Sequence, residues 1–154
     1  MVKIGEPVPA FDLPATGDKQ LGLKDFAGQQ LVLYFYPKDN TPGCTREGQD
    51  FRDHYAALQA ANTAVVGVSK DSVRKHENFC SKHEFPFDLI SDEDEVLCKI
   101  FDVIKEKNMY GRKYMGIERS TFLIDADGVL RVEWRKVRVP GHVEAVLEAA
   151  QTLN

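Results

Sequence analysis

The chain has 154 residues, of which 43% are hydrophobic, and its 20 basic and 24 acidic side chains leave a net charge of −4. This composition excludes a disordered or fibrous polymer, and the interspersed charges argue against nucleic acid or an anionic membrane as the main partner. The three cysteines, Cys44, Cys80 and Cys98, are too few and too widely spaced for a secreted disulfide framework, and none forms a Cys-x-x-Cys pair.

The length suits one domain over residues 1–154. Met1-Val2-Lys3-Ile4-Gly5-Glu6-Pro7 has no signal-like apolar region. The longest apolar run, Leu31 to Pro37, is too short to cross a bilayer, so the expected location is the cytoplasm. Residues 1–30 carry turn signals around Phe11-Asp12-Leu13 and Leu21-Gly22-Leu23, which predicts a small N-terminal β-hairpin. Leu31 to Tyr36 is apolar on both faces and predicts a buried central strand. A helix opening at Thr41 carries Phe51, Tyr55 and Leu58 on one face and should end before Asn62.

Ala64 to Ser69 predicts a second buried strand, and Asp71 or Ser72 should cap a helix reaching about His83. Phe85 to Ile90 predicts a short strand. Ser91 should cap the next helix, with Asp94 completing a capping box and Val96, Leu97, Ile100 and Phe101 as its apolar stripe. Residues 105–118 lack clear periodicity and read as a loop. Arg119 to Asp125 and Val129 to Arg135 should pair through Ala126-Asp127-Gly128, and Pro140 or Gly141 should open a C-terminal helix. The order β-β, β-α, β-α, β-α, β-β, α predicts an α/β protein with a central mixed β-sheet and helices on both faces, as in thioredoxin-like folds.

Thr41-Pro42-Gly43-Cys44 concentrates the chemistry. With Thr41 at the N-cap and Pro42 at the first helical position, Cys44 sits among the unpaired N–H groups at the positive end of a helix. Such a cysteine is held as a reactive thiolate, although a small buried hydrophobe is the bland alternative. Gly43 allows close approach to the backbone. Thr41 could cap only, or offer its hydroxyl to a sulfur or a substrate oxygen. His76, Cys80 and His83 share one helix face at ligand-like spacing, but they lack an evident fourth ligand, and solvated or core histidines are the favoured reading. His54 and His142 have no catalytic context. No metal is assigned.

Pro37-x-x-x-Thr41-x-x-Cys44, within Phe35-Tyr36-Pro37-Lys38-Asp39-Asn40-Thr41-Pro42-Gly43-Cys44-Thr45-x-Glu47, resembles the peroxiredoxin Q / bacterioferritin comigratory protein group. Leu89-Ile90-Ser91-Asp92 and Arg119 to Asp125 resemble further segments of that group. The resemblance implies a thiol peroxidase without metal, flavin or haem, acting on hydrogen peroxide and organic hydroperoxides. Cys44 would become a sulfenic acid, with Pro37, Thr41, Gly43 and Arg119 around the substrate. Unaided, Arg119 reads as a strand-edge arginine, and Lys38 and Arg46 read as solvated.

The position five residues after Cys44 is Gln49, which excludes one variant of the group. The other variant places a resolving cysteine 36 residues downstream, where Cys80 stands. The resemblance thus implies a Cys44–Cys80 disulfide, local unwinding of helix ends during turnover, and a monomer re-reduced by thioredoxin or a glutaredoxin-type protein. The helical wheel by itself instead favours Cys98 as the accessible thiol. Two rivals stay open: a redox sensor passing the Cys44 oxidation to a partner, and a non-catalytic binding or chaperone-like domain on the same fold.

Overall fold

The computed structural model describes residues 1–154. A seven-stranded mixed sheet runs in the order β2-β1-β5-β4-β3-β8-β9, and a separate two-stranded sheet pairs β6 with β7. Its centre is β3 (Gln30–Phe35), buried at every position as its unbroken apolar pattern requires. On one side β3 pairs in parallel with β4 (Thr63–Ser69), which pairs in parallel with β5 (Asp88–Ser91). On the other side it pairs antiparallel with β8 (Ser120–Ile124), followed by β9 (Leu130–Trp134). The N-terminal hairpin, β1 (Asp12–Ala15) and β2 (Lys19–Gly22), joins the β5 edge at Ala15↔Ile90.

Alternation along β3 divides the core. Val32, Tyr34 and Tyr36 face α1 (Pro42–Asp53), α2 (Tyr55–Ala60), α3 (Val73–His83) and α5 (His142–Leu153), meeting Phe51, Leu58, Phe79, Val143 and Val146. Leu31, Leu33 and Phe35 face the opposite side, where α4 (Val96–Ile100) and the N-terminal segment supply Leu97, Phe101, Val2 and Val8. The expected helices on both faces are therefore present, within a mixed α/β sheet.

Four local expectations need correction. The helix from Thr41 is interrupted at His54, whose Nδ1 meets the Asp50 carbonyl at 2.9 Å, so α1 and α2 are separate segments. Ser91 does not cap α4. It ends β5 and donates to the Asp71 carbonyl at 2.6 Å, while the Asp92 carboxylate accepts from the Val96 and Cys98 N–H groups at 2.8 Å each. The side of α4 turned to the core carries Leu97, Cys98 and Phe101, so Val96 is exposed and Cys98 is fully buried in the cluster that also holds Val103. Cys98 is thus not the accessible thiol.

Residues 105–118 are not a loop. They form most of the hairpin β6 (Ile104–Met109) and β7 (Arg112–Ile117), closed by Tyr110 and Gly111, both at positive φ (54° and 79°). Both strands are largely exposed, so no apolar alternation marks them in the sequence. No helix is long and apolar enough to cross a membrane.

Candidate active site

Cys44 lies at the third position of α1, just beyond the C-terminal end of β3, where open α/β sheets place ligands. Thr41 holds the N-cap position in extended conformation (φ −87°, ψ 152°). Its hydroxyl makes no capping bond. It donates instead to the Lys38 carbonyl at 2.8 Å, which closes the Pro37–Thr41 loop and leaves the hydroxyl oxygen free to accept. Pro42 has no N–H, and the Gly43 and Cys44 N–H groups find no acceptor in the protein. Two free donors and the positive end of the helix dipole therefore stand at the turn that carries Cys44, a residue only 2% exposed.

Sheet register supplies the cation. Phe35 at the end of β3 pairs with Ser120 at the start of antiparallel β8, so Arg119 arrives beside the first turn of α1. Its Nη2 donates to Cys44 Sγ at 3.3 Å, and its Nη1 donates to Glu47 Oε1 at 2.6 Å. The guanidinium lies over Gly43, where a β-carbon would stand 3.1 Å from Nη2. Glycine at this position therefore gives the arginine its access to the sulfur. The fork geometry of arginine lets one side chain serve both partners, which a lysine ammonium does less well.

Glu47 and Lys107 join this site although the sequence alone assigns them no role there. Glu47 is fully buried one turn after Cys44, and its Oε2 has no partner. Helical spacing from Cys44 was the signal available for it. Burial pushes the Glu47 carboxyl up to about 7, against the lowering pull of Arg119. Lys107, half-buried on β6, has a lowered pKa from burial first and from the Arg119 charge second. The exposed hairpin thus brings a second cation towards the Cys44–Arg119 pair. Arg46 pairs with Asp50 at 3.1 Å and stays largely exposed, as expected. His142 is buried, with Nε2 2.8 Å from Thr121 Oγ1, and burial together with Arg119 pushes its pKa down to about 4.

The Glu47 shift has a measurable consequence. Because its folded pKa stands above the unfolded value of 4.5, the folded state retains a proton that the unfolded chain has already lost. Stability from this group is full below about pH 4.5 and is lost as pH rises through about 7, by up to about 3 kcal/mol. Urea unfolding between pH 5 and 8 should show wild-type protein losing stability relative to Glu47→Gln as pH rises. Parallel pH profiles for the two proteins would refute it.

Cys80 lies in the last turns of α3, half-buried against the same aromatic cluster as Cys44, its Sγ 3.8 Å from the Phe87 carbonyl oxygen. Burial, followed by the Asp88 and Asp39 charges, pushes its thiol up to about 12. All three cysteines are free. His76, Cys80 and His83 do not converge on a common point: His76 turns inward to Asp39, while His83 stacks on Phe85 with ring centroids 5.8 Å apart.

Residues 4–133 match the AhpC/TSA family. Peroxiredoxin Bcp of Xanthomonas campestris pv. campestris is 54% identical over 145 residues, covering 93% of this chain and 91% of the relative. Peroxiredoxin Bcp of Bacillus subtilis is 48% identical over 153 residues, covering 99% and 96%. Among solved structures, peroxiredoxin Q of Xanthomonas campestris superposes with a TM-score of 0.88 at 53% identity, over 92% of this chain and 90% of that one. A cysteine-to-serine mutant of PrxQ from Xylella fastidiosa gives 0.93 at 46% identity, over 99% and 97%. A polarised thiol at a helix start on a thioredoxin-like sheet, matched along nearly its whole length by these relatives, places the chain in the AhpC/TSA family, within its peroxiredoxin Q/Bcp group.

Proposed function

We propose that this chain is a thiol peroxidase that reduces hydrogen peroxide and organic hydroperoxides through Cys44. The observation that carries the reading is Arg119 Nη2 at 3.3 Å from Cys44 Sγ, beside two N–H groups without acceptors. The Cys44 thiolate attacks the terminal peroxide oxygen. An S–O bond forms, the O–O bond breaks, and the departing alkoxide or hydroxide takes up a proton. Arg119 and the Gly43 and Cys44 N–H groups are placed to stabilise charge moving from sulfur to that leaving oxygen. Thr41 accepts from the peroxide O–H, because its own proton is committed to Lys38. Pro37, which ends the loop-proximal strand run without an N–H, adds no competing donor.

Cys80 then resolves the sulfenic acid. Its sulfur attacks the Cys44 sulfur, the S–O bond breaks, and the hydroxide leaves as water with the Cys80 proton. Both cysteines are helical and unbonded in the folded protein, so α3 must open locally first. Opening also makes Cys80 reactive, because a thiol that burial pushes to about 12 is a poor nucleophile until it meets water. A dithiol protein of the thioredoxin or glutaredoxin type closes the cycle, with the chain acting as a monomer in the cytoplasm. The relative from Xanthomonas campestris is described by its alkyl peroxide reduction activity, which agrees with this substrate class.

The direct test is Cys44→Ser. It should abolish peroxide consumption with a thioredoxin system while the melting temperature stays close to wild type. A variant retaining full activity would overturn the enzyme reading, and wild-type protein that oxidises once without turning over would favour the sensor.

A further inference from the structure

Asp39 and His76 are both buried, 37 residues apart in sequence, and every polar atom of their side chains is engaged. His76 Nε2 stands 2.9 Å from the Ile90 carbonyl oxygen, which can only accept, so Nε2 carries a proton. His76 Nδ1 lies 2.7 Å from Asp39 Oδ2. Asp39 Oδ1 accepts from the Tyr36 hydroxyl at 2.6 Å, and the Asp39 N–H donates to Asp71 Oδ2 at 2.8 Å. Asp71 Oδ2 also accepts from Ser69 Oγ at 2.7 Å. Asp39, Asp71 and His76 could surround a cation, yet their atoms already satisfy one another.

The placement of the pair is informative. Asp39 belongs to the Pro37–Thr41 loop that leads into Cys44. His76 is on α3, four residues and about one turn before Cys80. The contact therefore pins the helix carrying the second thiol to the loop carrying the first. Upstream of it α3 is well tied, with the Lys75 and His76 N–H groups donating to the Ser72 side chain and carbonyl at 3.2 and 3.0 Å. Downstream, the end of α3 is held by Arg52 Nη1, which donates to the His83 carbonyl at 2.9 Å, and by backbone bonds such as Phe85 N–H to the Cys80 carbonyl at 3.0 Å, and Glu84 lies in the left-handed region at φ 53°.

We propose that the Asp39–His76 pair is a latch that confines the unwinding of α3 to the turns after His76 and so sets the rate at which Cys80 reaches the Cys44 sulfenic acid. This rests on Cys80 being the resolving thiol. Asp39 and His76 touch neither sulfur, so they are positioning residues. A buried side-chain hydrogen bond resists opening more than an exposed one, and each bond the latch loses lowers the cost of exposing Cys80.

Hydrogen exchange on wild-type protein, reduced and after one equivalent of hydrogen peroxide, tests the boundary. Oxidation should expose the amides of Cys80 to Phe85 while those of Lys75 and His76 stay protected. Exchange running equally through Lys75 would overturn the latch. Rapid-quench trapping with a sulfenic-acid reagent then separates the two chemical steps in Asp39→Asn, which keeps the shape, and in His76→Leu.

Both variants should form the disulfide about tenfold faster than wild type, with sulfenic acid formation altered by less than about twofold. They should also accumulate less Cys44 sulfinic acid under excess peroxide. Folded variants with wild-type resolution rates would refute the proposal. If neither variant folds, the wild-type exchange boundary decides. Wild-type protein that makes no Cys44–Cys80 disulfide at all would instead remove the resolving role of Cys80, and mass spectrometry shows this before any variant is compared.

Discussion

Replacing Arg119 by lysine should lower kcat/KM for hydroperoxide by about two to three orders of magnitude, the effect of losing a preorganised donor at developing charge. The wild-type guanidinium donates to Cys44 and to Glu47 from different nitrogens, and its side chain is only 16% exposed. A lysine ammonium is a single point on a flexible stem. Drawn to the buried Glu47 carboxylate, it leaves the sulfur without its fixed donor. The deficit should appear in the rate of Cys44 oxidation measured before steady state, with little change in the rate of the subsequent disulfide step. A loss under about threefold in a folded Arg119→Lys protein would show that the helix N-terminus alone activates the thiol.

A Cys80→Ser protein should behave in the opposite way. Its first oxidation by peroxide should match wild type, because both thiols are free in the reduced fold and the Cys80 sulfur is engaged with the Phe87 carbonyl, not with Cys44. Turnover with a dithiol protein should then fall to a single equivalent of peroxide consumed per chain. Excess peroxide should carry Cys44 on to sulfinic acid, a gain of two oxygen atoms visible by intact mass. Burial is the reason Cys98 should not substitute: it is completely enclosed, and its thiol is pushed up strongly by desolvation and then by Asp92. Sustained turnover in Cys80→Ser with a Cys44–Cys98 bond would reverse the assignment of the second thiol. The two variants together separate the oxidation step from the resolution step.

Elements whose signals act within a few residues are legible in the chain alone. Leu31 to Tyr36 is apolar at every position because both faces of a central strand are covered, and that pattern survives without knowledge of its neighbours. Thr41-Pro42-Gly43-Cys44 announces a helix start because a proline and a cap residue act within one turn, and the charge preference of that end follows from backbone dipoles. The early β-β, β-α, β-α alternation sufficed for the fold class.

Features that depend on distance in space emerge only when the chain is folded. Arg119 reaches Cys44 across 75 residues because β8 runs antiparallel to β3 in one particular register, which no spacing in the chain reveals. Cys98 is buried, not exposed, because packing with Leu97, Phe101 and Val103 decides which side of α4 faces the core. The β6–β7 hairpin leaves no pattern in the sequence because exposed strands bury no face and so impose no period on their residues. Glu47 and the Asp39–His76 pair are polar groups held inside the fold. A buried charge is stable only against a partner, and that partner comes from another part of the chain.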